Sequence, residues 1–218
     1  MQAVRLQKNM SNILQNIAII IASLTAVYGI ISWRREHIGK RKIDLAEEVL
    51  CSIYELKDVI RSIRNPFGYV GEGSTRKRAE YELKEESSIL DSAYVVYERY
   101  DKHKDVFNNF YKMKYRYMAN FGKNSDEPFK IINRVINEIF SAAHMLGKVY
   151  WKNQGRKPMS DEEFEKHIDE MQKLEKVFWE INENDDVNKR IDTAIHICEE
   201  ICKSANNLGL WNFIKKYR

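Results

Sequence analysis

The sequence predicts an all-α protein: an N-terminal transmembrane helix continuing into an antiparallel cytoplasmic bundle of four to five helices. Three observations carry this expectation. Residues 13–32, ILQNIAIIIASLTAVYGIIS, contain no charge and are followed at once by Trp33, Arg34 and Arg35. The 218 residues include only nine Gly and three Pro, so helix breakers are few. Apolar residues elsewhere recur every third or fourth position, and no stretch alternates as a strand between hairpin turns would.

The first element is the span, residues 13–33. A helix rises about 1.5 Å per residue, so roughly 20 apolar residues cross a hydrocarbon core of about 30 Å. Its polar members, Gln15, Asn16, Ser23 and Thr25, are mild, and hydroxyls can return their hydrogen bonds to the preceding turn. A cleaved signal peptide has a shorter apolar core and an A-x-A exit, and neither is present. A buried helix of a soluble protein fits poorly with the uninterrupted apolar surface and the basic stop. Arg34, Arg35, Lys40, Arg41 and Lys42 follow the span, opposed only by Glu36, while Arg5 and Lys8 precede it. Basic residues stay on the cytoplasmic side. Residues 1–12 are therefore expected outside and residues 34–218 in the cytoplasm, with the basic collar on lipid headgroups. Ala18, Ala22 and Ala26 recur every fourth residue, a spacing that lets membrane helices approach closely.

The helix is expected to run on. Ala46, Val49, Ile53, Leu56, Ile60 and Ile63 form a heptad-like seam that later helices of the same chain would cover, and Asn65-Pro66 ends it. Residues 67–75, FGYVGEGST, place Gly68, Gly73, Ser74 and Thr75 roughly as in a phosphate-binding loop. The essential Lys is missing and no strand precedes it, so nucleotide binding is rejected and Ser74 or Thr75 is expected to cap the next helix. That helix is expected over 76–103, with Ile89, Leu90, Ala93, Tyr94, Val96, Tyr97 and Tyr100 inside. A following one carries Val106, Phe107, Phe110, Tyr111, Tyr117, Met118 and Phe121 and stops at Gly122.

Ser125 or Asp126 is expected to cap a helix with Pro128 in its first turn and Phe129, Ile132, Val135, Ile136, Ile139, Phe140, Ala143, Leu146 and Tyr150 inside. Residues 152–159 read as a loop. Ser160 and Glu163 form a capping box before a helix burying Phe164, Ile168, Met171, Leu174, Phe178 and Ile181. After a break at 182–186, a last helix carries Val187, Ile191, Ala194, Ile195, Cys198, Ile201, Cys202 and Ala205, followed by the tail LWNFIKKYR.

Site chemistry is sparse. Three cysteines, Cys51, Cys198 and Cys202, make no disulfide framework and agree with a reducing compartment. His196, Cys198 and Cys202 lack the ligand set zinc needs, and the thiols fit an apolar stripe. Glu163 and His167 share a helix face. His144 is expected inside the bundle with a carboxylate or carbonyl partner, and Arg134 and Glu138 as an ordinary surface pair. The run YKMKYRYM at 111–118 mixes bases and aromatics, but its aromatics already belong to a core stripe. A net charge of +4, much of it beside the span, does not mark a nucleic-acid binder. No catalytic residue, cofactor or metal is expected.

The junction resembles uncharacterised bacterial single-pass membrane proteins with a cytoplasmic helical domain. The residues that carry the likeness are Trp33-Arg34-Arg35-Glu36, Gly39-Lys40-Arg41, Leu45-Ala46-Glu47-Glu48, Tyr54-Glu55 and Arg61 to Phe67, within residues 15–70. The resemblance implies a bacterial inner-membrane anchor and supplies no activity. The leading expectation is a non-enzymatic interaction module, a scaffold, sensor or adaptor, whose partners are membrane lipid and a protein of unknown identity. Two alternatives stay open. One is a homo-oligomerising membrane effector in bacterial stress or phage defence. The other is a membrane-bound enzyme with a carboxylate site in the bundle.

Overall fold

The computed structural model describes residues 2–155 and 158–216, and side chains for residues 12–155 and 158–205. The side chains of Arg5, Lys8 and the LWNFIKKYR tail lie outside the described residues. All regular structure among the described residues is helical. The helices are α1 (Gln2–Ile63), α2 (Lys84–Lys102), α3 (Lys104–Phe121), α4 (Glu127–Met145), α5 (Trp151–Asn153), α6 (Asp161–Phe178) and α7 (Asp186–Lys216). A 3₁₀ turn, Lys123–Asp126, precedes α4, and a π-helical turn, Leu146–Tyr150, joins α4 to α5. Helix α1 therefore begins well before the predicted start at Ile13.

The chain divides into two compact units, Met1–Asp44 with Ser204–Arg218, and Leu45–Lys203. The larger unit is built on the predicted seam. Ala46, Val49, Ile53, Leu56, Ile60 and Ile63 have no solvent exposure. Around them lie Phe107, Phe110 and Tyr117 of α3, Phe129, Ile132 and Ile139 of α4, Phe178 of α6, and Ile191, Ala194 and Cys198 of α7. The rings interlock as offset and edge-on pairs: Phe110 stacks on Phe129 at 4.4 Å, and Tyr97 on Phe140 at 4.7 Å while donating its hydroxyl to the Phe140 carbonyl. On the surface Tyr54 donates to Glu199 and Lys57 pairs with Asp192, so numbers rising along α1 meet numbers falling along α7.

Several local expectations hold. Helix α1 stops at Ile63 ahead of Asn65-Pro66, Gly122 closes α3 with φ +94°, Pro128 lies in the first turn of α4, and Ser160 and Glu163 make their reciprocal capping box. Others are corrected. Helix α2 starts at Lys84, not Arg76, because residues 76–83 are tied down by side chains: Arg76 pairs with Glu82 and Asp91, and Arg78 with Asp91. Ser74 and Thr75 cap nothing. The Ser74 hydroxyl donates to the Gly71 carbonyl within the loop, and that of Thr75 to Glu98 of α2. Ser125 and Asp126 do not cap α4 either. Ser125 donates to the Gly122 carbonyl and Asp126 accepts from Lys130.

The buried face of α2 also differs, with Val95 and Arg99 inside and Ile89, Leu90 and Tyr94 only half-buried. Phe164 and Ile181 are exposed, and so is His144. Met113, not expected inside, is buried. Glu138 pairs across to Arg190 on α7, while Arg134 reaches Glu127. Gly147 in the π turn has a steric reason: a Cβ there would lie 2.6 Å from the Ala93 Cβ, so α2 passes too close for an ordinary side chain.

Candidate functional site

Near the N-terminus α1 is long and apolar enough to cross a membrane, and no residue of its apolar window is buried by the rest of the chain. Ile13, Leu14, Ile17, Ile20, Leu24, Val27, Tyr28 and Ile30 are all exposed, around the whole circumference. Backbone groups are satisfied within the helix, and the two mid-span hydroxyls follow suit: Ser23 donates to the Ile19 carbonyl and Thr25 to that of Ile21, each at 2.8 Å. Ala18, Ala22 and Ala26 are exposed, and a Cβ on Gly29, one turn on, would meet nothing within 4 Å.

The collar follows directly. Trp33 is exposed and stacks on His37 at 5.7 Å. Arg34, Arg35, Lys40 and Arg41 are exposed and Lys42 is half-exposed. Among the described residues none of the five enters an ion pair, whereas Lys57, Arg134 and Arg190 elsewhere do. The helix thus offers an apolar rod ending in unpaired cations.

A second feature is the loop of residues 64–83, of which the sequence predicts only 67–75 as loop and 76–83 as helix. Of two buried arginines, Arg99 holds the start of the loop and Arg64, its first residue, ties the end of α1 to the end of α6. Arg99, in α2, donates Nη1 to the carbonyls of Ser62, Ile63 and Asn65, and Nη2 to that of Phe67, while Nε and Nη2 hold Glu72 at 2.8 Å. Ile63 is the last residue of α1, and the other carbonyls belong to its last turn and to the chain just after it. Arg64 does the same for α6, donating to the carbonyls of Lys176, Val177 and Trp179 and pairing with Asp185. The Gly73 amide donates to Glu98 at 2.9 Å. Arg99 holds Glu72 below the usual carboxylate range, chiefly by hydrogen bonding, and Thr75 and Lys102 do so for Glu98. The clasp leaves Phe67 84% exposed, Tyr69 88% and Val70 fully exposed. Arg99 could have been suspected from its place three and four residues after Val96 and Val95, on the buried side of α2. Arg64 likewise stands four residues after Ile60 of the buried seam.

Cys198 and Cys202 lie in the core, and burial pushes the Cys198 thiol up to about 12. His167 packs on Tyr150 at 5.1 Å, and His196 is exposed 3.7 Å from Glu199. In the 111–118 run, Tyr111 is half-buried and Tyr117 buried, while Lys112, Tyr115 and Arg116 face outward. Among the described residues no group of three His, Cys, Asp or Glu side chains is placed to hold a metal. Comparisons with protein-family models, with curated proteins and with solved structures find no match. The functional reading rests on the apolar rod, its collar and the clasped loop.

Proposed function

We propose that this chain is a single-pass inner-membrane protein of bacterial type whose cytoplasmic helical bundle is a non-enzymatic interaction module. Residues 13–33 cross the bilayer, residues 1–12 lie outside, and residues 34–218 lie in the cytoplasm. The carrying observation is the unburied apolar circumference of α1. Each such side chain gains about 1.5–3 kcal/mol on leaving water, so the segment as a whole favours an apolar solvent by roughly tens of kcal/mol. Arg34, Arg35, Lys40, Arg41 and Lys42 favour an anionic inner leaflet and set the direction. Phe67, Tyr69 and Val70, held outward on a clasped loop, supply the protein-docking surface of the module; solvated apolar groups fixed in place are favourable to bury against a partner.

The test combines extraction and topology. The chain should resist alkaline carbonate, and a reporter fused after Arg218 should be active only in the cytoplasm. Photo-crosslinking from Tyr69 in cells should trap a discrete protein partner. Carbonate-soluble protein, or an outward-facing reporter, would overturn the assignment. A second reading is self-assembly of the spans along Ala18, Ala22 and Ala26, favoured by their full exposure and by the open space at Gly29. Ala22→Leu should then abolish crosslinking between copies in membranes, and an unchanged yield would remove this reading.

A further inference from the structure

The smaller unit contains two stretches of chain, Met1–Asp44 and Ser204–Arg218. Helix α1 leaves it at Asp44 and α7 enters it at Ser204. Helix α7 continues to Lys216, about twelve residues or about 18 Å further, and an equal length back along α1 from Asp44 ends near Ser32 and Trp33. The backbone thus brings the last turns of α7 to the level of the collar. The sequence there repeats the collar's chemistry: Trp211, Phe213 and Ile214 followed by Lys215 and Lys216, with no acidic residue after Glu200. Aromatic and basic residues in one short helical stretch are the composition that settles at a bilayer surface, rings at headgroup depth and cations on anionic lipid.

We propose that the last two turns of α7 are a second lipid contact, lying on the anionic headgroups beside Arg34 to Lys42. This rests on the spanning assignment of α1. The protein then holds the membrane at two places, the span and the returning end of α7. The second contact depends on lipid charge where the first does not.

The experiment uses the full chain in nanodiscs of phosphatidylcholine, with or without phosphatidylglycerol. Cys51→Ser removes the exposed thiol, and an environment-sensitive dye is placed at Asn212→Cys. Nitroxide on the lipid near the headgroup should quench the dye in the anionic discs, with at least about a twofold weaker effect in neutral discs or in Lys215→Glu/Lys216→Glu. Equal quenching in both lipids, or none in either, overturns the proposal. A dye at Leu24→Cys, read against nitroxide at the acyl-chain end, reports the span separately. Quenching at Leu24→Cys without charge-dependent quenching at Asn212→Cys sinks only the α7 contact, whereas loss at Leu24→Cys sinks the spanning assignment.

Discussion

Arg99 is the residue on which the loop depends. It is nearly buried, its charge is answered by Glu72, and its other donors go to carbonyls at the end of α1. Removing one partner of such a pair strands the other, at a cost of about 3–5 kcal/mol. Arg99→Met should therefore lower the unfolding free energy by that order in chemical denaturation, more than Glu72→Gln does, because Gln keeps an acceptor for the guanidinium. Gly73 is equally constrained. Its φ is +84° and a Cβ would sit 2.0 Å from the Asp91 carbonyl oxygen, so Gly73→Ala must displace the loop from α2 and should destabilise the fold by more than the about 1–3 kcal/mol of backbone strain alone. The pH response follows from the carboxylates. Arg76 pulls Glu82 from 4.5 to about 2, and Arg99 pulls Glu72 down as well. A folded-state value below the unfolded one gives stability that is present above the unfolded value and lost as pH falls through the folded one. Amide protection in residues 66–83, with rates corrected for the intrinsic pH dependence of exchange, should consequently fall between pH 4.5 and about 2, ahead of protection in the α1 seam. The cysteines split the same way. With its thiol near 12, Cys198 holds on the order of one thiolate in ten thousand near pH 8. Maleimide should modify Cys51 alone in the native protein and all three thiols in denaturant.

At the scale of the elements, what was legible in the sequence is what local periodicity encodes. The seam from Ala46 to Ile63 could be read because each apolar position points to one core and nothing local competes. The capping box at Ser160 and the stops at Pro66 and Gly122 are likewise complete within a few residues. The start of α2 was not legible. Residues 76–83, RKRAEYEL, are good helix formers, yet Arg76 is held by Glu82 and by Asp91, and a helix there would break both pairs. Tertiary ion pairing overrides propensity in this segment. The prediction is specific: Asp91→Asn/Glu82→Gln should release the segment and extend α2 toward Arg76, seen as added helicity and new amide protection at 76–83. The glycine of the π turn has the same kind of origin, since Gly147 is permissive anywhere and becomes necessary because Ala93 lies against it. Of the candidate site, the rod and the collar were readable as composition, whereas the clasp was not, because Arg99 and Glu72 meet only in three dimensions.

For the whole molecule, the division of labour between the two units decides what can be removed. The buried core of the larger unit is supplied by residues from Leu45 to Cys202, and the apolar residues of 13–31 contribute nothing to it. Its stability should therefore be indifferent to the span. A chain beginning at residue 34 is expected to be water-soluble, helical by circular dichroism, and to unfold in one transition at the temperature found for the intact protein in detergent. A single Asp at Leu24 in the full chain should act oppositely. It costs about 2.5–3.5 kcal/mol at the bilayer centre, so membrane yield should fall while the melting of the helical unit stays unchanged. If the shortened chain precipitated or melted in stages, the exposed rod would have to be part of the fold and not its attachment. The two outcomes separate an anchor from a core helix, which length and hydropathy alone cannot do, because both kinds of helix satisfy the same compositional test.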